Sequence, residues 1–391
     1  MNEVFTVYLA RNNSPGEAYA MLTLPAMPYA LRDAMEKARL GEQDDMYLEI
    51  ECYHCCGFLS SLTLKMQDLN KLNLLSEKLS EMDGQERKKF EGLTRIFQQK
   101  KEGNNTLTVE NLLDIAASIP AAALYPVSSD EEYGQYCVAH DLIPALKDLP
   151  DSVKQMLDYD KIGFVRRCLE VGTFLDDEET YVLKTGKFRR FDYDAIPSPQ
   201  EPDYTILLNV NVMGHDASLP LKLPASLSEI DEALEHAPAV SWECVDCRVP
   251  SLARLLTEAE SLDAVYEAAA TLAAIPERSL PVYKALLESE HVYSLGEAFG
   301  LLDHLDEYLL SPQYSTPSEI AIDNLGVMLR ESDLETLRPF VDLHAYGIKL
   351  LEEQNTVLTE YGAFERRDQP FLQGQKEENT PSQGGMTMGG M

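Results

Sequence analysis

The feature that most constrains this chain is that its second half repeats its first. Phe5-Thr6-Val7-Tyr8-Leu9 corresponds to Tyr204-Thr205-Ile206-Leu207-Leu208, and at the same offset Leu24-Pro25-Ala26 meets Leu223-Pro224-Ala225. Ala34-Met35-Glu36 meets Ala233-Leu234-Glu235, and after a small deletion Ile50-Glu51-Cys52 meets Val245-Asp246-Cys247. Leu69, Leu72, Leu79, Phe90 and Leu93 find counterparts in Leu262, Val265, Leu272, Tyr283 and Leu286. Thr108 meets Ser294, Leu124 and Pro126 meet Leu310 and Pro312, and Asp158 and Gly163 meet Asp342 and Gly347. Apolar positions, caps and breakers stay in register, so one fold has to serve twice.

Each copy begins with alternating, strand-like runs (residues 4–9 and 47–52 in the first) around a helix that follows the Leu-Pro-Ala step. A helical middle comes next. Leu69, Leu72, Leu75, Leu79 and Met82 recur at helical spacing, and Thr108 is an N-cap for a helix through Leu112 and Ile115 that Pro120 ends. Ser129 caps another helix through Val138, and small strands at Phe174 and Tyr181–Leu183 close the copy. This is an α+β pattern with local segregation of helices and strands. It divides the chain into a first copy (1–195), a stiff linker (196–202) with Pro197, Pro199 and Pro202, a second copy (203–366), and a low-complexity tail (367–391) expected to be disordered.

At 391 residues with 45% hydrophobic content, the chain has enough apolar side chains for two cores and is no disordered polyanion. Its net charge is −33. Residues 1–200 carry 33 acids and 22 bases, whereas residues 201–391 carry 33 acids and 11 bases. Such a chain repels nucleic acid and anionic membranes. A halophilic or merely soluble surface would spread its acids, but here the imbalance is concentrated. Residues 102–146 contain no lysine or arginine and seven acids: Glu102, Glu110, Asp114, Asp130, Glu131, Glu132 and Asp141. In the second copy, residues 285–329 contain no base and eight acids: Glu288, Glu290, Glu297, Asp303, Asp306, Glu307, Glu319 and Asp323. Asp303, Asp306 and Glu307 are expected at i, i+3 and i+4 on a helix, as Glu331 and Glu335 are at i, i+4. Like charges at that spacing cost a few tenths of a kcal/mol per pair. A penalty repeated without relief points to a use for the negative field outside the protein.

Other chemistry is weakly signalled. Cys52-x-x-Cys55-Cys56 and Cys244-x-x-Cys247 have zinc-like spacing. However, Cys52 matches Cys247, so the pairs extend in opposite directions, and residues three apart on a strand face opposite sides. Buried free thiols are the default expectation, with no metal. Asp176-Asp177-Glu178-Glu179 lacks the glycine and ligand spacing of a calcium loop and reads as a solvated turn. His140 and His304 read as helix-surface residues. Phosphate loops, dinucleotide fingerprints, nucleophile elbows and H-E-x-x-H are all missing, so neither an enzyme nor a cofactor is expected. Seven cysteines without disulfide-like spacing fit a reducing cytoplasm. The N-terminus shows no signal peptide, and the most apolar region, around residues 18–31, is too short and too proline-interrupted to span a bilayer.

Asp342-x-x-Ala345-Tyr346-Gly347-x-x-Leu350, followed by Leu358-Thr359-Glu360-Tyr361-Gly362, forms a motif near the end of the second copy. Asp158-Tyr159-Asp160-Lys161-Ile162-Gly163 is its counterpart, with Lys161-Ile162 in place of Ala345-Tyr346. With Asp68-Leu69-Asn70-Lys71-Leu72-Asn73 and its amphipathic continuation to Met82, these segments resemble the ArdA-type antirestriction proteins of conjugative elements and phages. The resemblance covers both halves in order, whereas members of that family are about the size of one half. It implies an elongated, acidic, commonly dimeric DNA mimic that occupies the DNA groove of type I restriction–modification enzymes without catalysis. It further implies that the tandem supplies in one chain what relatives supply by dimerising, with a homodimer still open. The expected contact surface is the acids of the two base-free windows, Glu102 excepted, together with Glu331 and Glu335. A general acidic partner or chaperone of basic proteins, a CRISPR effector as the target, and a cysteine-metal enzyme are the alternatives.

Overall fold

The same three-stranded sheet is built twice. The computed structural model describes residues 2–11, 18–41, 44–66, 68–99, 106–175, 179–193 and 201–366. The first sheet has the strand order Tyr19–Leu24, Phe5–Arg11, Met46–Tyr53, and the second has Leu219–Leu223, Ile206–Val212, Ala239–Cys247. Alternation sets the inner face: Ile206, Leu208, Val210 and Val212 are all buried, with half-buried or exposed residues between them. Leu24–Pro25 and Leu223–Pro224 are both cis. The chain is α+β, as its pattern of elements predicts.

Two compact units result, and they do not follow the two copies. The first comprises residues 1–8, 21–26 and 48–200; the second comprises 9–20, 27–47 and 201–391. In the first unit, the helices Leu69–Glu81 and Gly84–Gln99 bury Leu72, Leu75, Leu79, Phe90 and Leu93, each worth about 1.5–3 kcal/mol of transfer free energy. Asp68 caps the first of these by accepting from the Lys71 amide at 3.1 Å. Thr108 and Asn111 form a reciprocal cap for Val109–Ala117, and Ser129 caps Asp130–Ala139, both as the sequence predicts. A short parallel pair, Thr63–Lys65 with Thr106–Thr108, is too brief to register as a period in the sequence. The unit closes with an antiparallel sheet in the order Ala122–Tyr125, Thr180–Lys184, Gly172–Leu175.

The second unit repeats this plan. Leu262–Ala274 and Leu280–Glu290 supply Val265, Leu272, Tyr283 and Leu286 to the core, where the Tyr283 hydroxyl donates to the Ala298 carbonyl at 3.0 Å. Its closing sheet has the order Tyr308–Ser311, Gly362–Arg366, Thr356–Thr359. Ala122–Tyr125 and Tyr308–Ser311, each only four residues long, are too short to show a strand period in the sequence of either copy.

Two local expectations are corrected. Asp303, Asp306 and Glu307 lie on a 3-10 turn, Leu301–Glu307, and not on an α-helix. In such a turn positions i and i+3 eclipse, so Asp303 and Asp306 stand over one another. Cys244 and Cys247 do not face opposite sides of their strand, because a register shift between Cys244 and Asp246 turns both inward, and both are buried. Residues 196–200 of the expected linker, the tail 367–391, Glu102 and Asp176-Asp177-Glu178 lie outside the described residues. Among the described residues, no helix is long and apolar enough to cross a membrane.

Candidate functional site

The acids of the first window are largely answered by groups from outside it. The Lys71 ammonium reaches Glu110 at 2.7 Å, and this hydrogen bond is the main reason the Glu110 carboxyl is held below its usual range. Asp114 accepts from the Phe191 amide at 2.8 Å and the Tyr193 hydroxyl at 3.0 Å. Asp130 receives both arms of the Arg167 guanidinium at 2.7 and 2.8 Å, the strongest form of such a pair. Glu132 turns back on the Ser128 amide and hydroxyl, which lower its carboxyl, amide first. Asp141 stands 3.8 Å from Lys147, and Glu131 only 3.5 Å from the Gln135 amide nitrogen. Glu131 and Asp141 are therefore the loosely held, exposed acids of this face.

The second window sorts differently. Glu290 is buried, and Glu288 is half-buried and spent on the Glu360 amide at 3.1 Å, with burial raising its carboxyl. Neither belongs to a contact face, which corrects their assignment from sequence. Ser294 and Thr316 cap the helices Leu295–Gly300 and Pro317–Met328 by accepting from the Glu297 and Glu319 amides, and the two carboxylates turn back on the Tyr293 and Thr316 amides at 3.0 and 2.8 Å. Glu307 pairs with His304 at 2.7 Å and with Arg366, and these two lower its carboxyl in that order. His304 is thus a hydrogen-bond partner of Glu307, while His140 ends its helix stacked on Tyr136. Asp323 accepts from the Tyr314 hydroxyl at 2.7 Å.

Asp303, Asp306, Glu331 and Glu335 remain, all exposed. Asp333, which the sequence reading did not single out, joins them on the helix Glu331–Leu337. Among the described residues, none of these five carboxylates has a cation within 4.0 Å or accepts a hydrogen bond. Glu331 and Asp333 occupy the first turn of their helix, where the dipole favours them, whereas Glu335 lies beyond that turn and has the like charge of Glu331 one turn back. Solvated carboxylates of this kind are free to receive guanidinium or ammonium groups that otherwise bind phosphate.

The motif residues have structural duties that match between copies. Asp158 and Asp342 cap their helices by accepting from the Lys161 and Ala345 amides at 3.1 and 3.0 Å. Gly163 and Gly347 lie where a helix crosses another at backbone distance. A Cβ on Gly163 would fall on the Asp130 carbonyl, and one on Gly347 on the Pro317 carbonyl, the first helical residue after the Ser129 and Thr316 caps. Tyr346 donates its hydroxyl to Asn324 at 2.8 Å.

One cluster escaped the sequence reading. In the second unit, the buried Lys284 ammonium lies 2.8 Å from Asp33 and 2.7 Å from Glu36, both on the helix Pro28–Lys37. Lys37 bridges Asp33 and Glu360, and the Tyr361 hydroxyl donates to Asp33 at 2.9 Å. Burial alone would raise the Asp33 carboxyl, but Lys284 and Lys37 together carry it below its usual range. No local pattern announces this, because the partners are some 250 to 330 residues apart in sequence. Compared with family models and with curated proteins, the chain matches none.

Proposed function

We propose that this protein is a non-enzymatic, cytoplasmic mimic of duplex DNA that inhibits type I restriction–modification enzymes by filling their DNA-binding groove, protecting incoming mobile-element or phage DNA. The observation that carries this reading is the set of unneutralised, solvated carboxylates on residues 301–307 and 331–337. A soluble surface has no need to leave acids unpaired beside an exposed Arg330 and Arg338, whereas a surface meant for another molecule's lysines and arginines does. The total charge is in proportion: −33 matches roughly 56 Å of duplex at one charge per about 1.7 Å. A groove built for phosphates would exchange its counter-ions for these carboxylates, and competition alone then inhibits. The tandem copies act as one chain in place of a dimer.

The test is binding of the purified protein to a type I methyltransferase–specificity core, with duplex DNA as competitor. Mutual exclusion with DNA, and affinity that falls as salt rises, are expected. Replacing Asp303, Asp306, Glu331 and Glu335 by their amides should weaken inhibition about tenfold or more and flatten the salt dependence, without loss of fold. Binding that DNA does not displace would sink the reading in favour of a general acidic partner for basic proteins.

A further inference from the structure

Cys55 and Cys56 follow the strand Met46–Tyr53 with their sulfurs 3.8 Å apart. Both cysteines are free and half-buried. Cys56 heads the 3-10 turn Gly57–Ser61 with φ 52° and ψ 45°, a left-handed conformation uncommon for a residue with a side chain. Two groups on the helix Gly84–Gln99 act on the pair. The positive charge of Arg87 favours ionisation of both thiols, and Glu91 opposes it at Cys56. The Arg87 Nε is itself buried without a hydrogen-bond partner.

We propose that Cys55 and Cys56 form a hydroperoxide-reactive dithiol that closes reversibly to a vicinal disulfide, with Cys55 attacking and Cys56 resolving. In the first step the Cys55 thiolate attacks one peroxide oxygen. The S–O bond forms, the O–O bond breaks, and the alcohol or water leaves after taking up a proton, so sulfur loses two electrons to the peroxide. In the second step the Cys56 sulfur displaces hydroxide from the Cys55 sulfenic acid, and the Cys56 proton leaves with it as water. Adjacent residues hold their Cα atoms about 3.8 Å apart, below the roughly 4.4 Å lower limit of ordinary disulfides. The closed ring is therefore strained and easily reduced, which suits a reversible device and not a structural bridge.

The division of labour follows from the hydrogen bond between the sulfurs. The contact between the two sulfurs, more than the opposing burial, lowers the Cys55 thiol to about 7, with Arg87 assisting. The same bond and burial push the Cys56 thiol up, so it keeps its proton until the second step. At neutral pH, the gain in thiolate outweighs the loss of intrinsic nucleophilicity, for a net advantage of about three- to fivefold over an ordinary thiol.

Full-length protein is exposed at pH 7 to a few equivalents of hydrogen peroxide, alkylated, and mapped by mass. The peptide holding Cys55 and Cys56 should lose two hydrogens and regain them with dithiothreitol, and Cys52→Ser should leave this unchanged. Iodoacetamide should modify Cys55 about three- to fivefold faster than the exposed Cys168. Cys56→Ser should stop at a Cys55 sulfenic acid that dimedone traps. Should that variant fail to fold, the mass change of the unaltered protein decides. Oxidation that joins Cys52 or a second chain, or a Cys55 no more reactive than Cys168, overturns the proposal.

Discussion

At Gly347 the absence of a side chain is what lets two helices meet, since any Cβ there would occupy the Pro317 carbonyl. Gly347→Ala should cost about 1–3 kcal/mol, the range for forced overpacking. Gly326→Ala, with open space around it on the helix Pro317–Met328, should instead gain up to about 1 kcal/mol. Urea midpoints of the two variants at pH 7 compare them directly. Gly163 and Gly347 were visible in the sequence as a repeated motif, but their purpose was not, because helical periodicity names a face and not the backbone that lies against it. The acids show the same limit. Two base-free windows were legible, yet Lys71, Arg167 and Arg366 come from outside them and neutralise Glu110, Asp130 and Glu307. The capping acids could have been set aside beforehand, since Ser129-x-x-Glu132, Ser294-x-x-Glu297 and Thr316-x-x-Glu319 all carry the spacing of an N-terminal helix cap.

Among the elements, the helix Pro28–Lys37 is held in good part by charge. Its Asp33, Glu36 and Lys37 share one face and meet Lys284, Glu360 and Tyr361. Removing the ammonium with Lys284→Met leaves two acids short of a partner and should cost about 3 kcal/mol or more. Adding Asp33→Asn to that variant should recover part of the loss, the coupling a double-mutant cycle measures. The pH dependence follows from the signs. Asp33 has its carboxyl lowered in the folded state, so its contribution is complete above the unfolded value near 3.9 and fades as pH falls through the folded value. Lys37 is affected by burial, which lowers it, but its acidic partners raise it overall, so its contribution holds below the unfolded value and fades as pH rises through the folded one. Stability measured against pH should therefore lose part of its acid limb in Asp33→Asn. The helix itself was legible from its apolar spacing and its position after Leu24-Pro25-Ala26, but its partners were not, since charge pairs hundreds of residues apart leave no local period.

For the whole molecule, the repeat predicted which segments are alike but not which copy each packs with. Residues 9–20 and 27–47 come from the first copy yet belong to the second compact unit. A fragment of residues 201–391 should consequently melt well below the full protein. A peptide of residues 27–47 should raise its Tm in a concentration-dependent way, by about 2.7 kcal/mol of stability at a hundredfold excess over Kd. No response to the peptide would mean that the helix is held only by its chain connections. The borrowed helix also sets an order of events during synthesis. Asp33 leaves the ribosome 328 residues ahead of Tyr361. At about 5–20 residues per second, it waits roughly 16–66 s for that hydroxyl. Until then the nascent helix carries an acidic face that the preceding residues alone cannot complete, so a chain halted midway is left with a charged, unfinished segment.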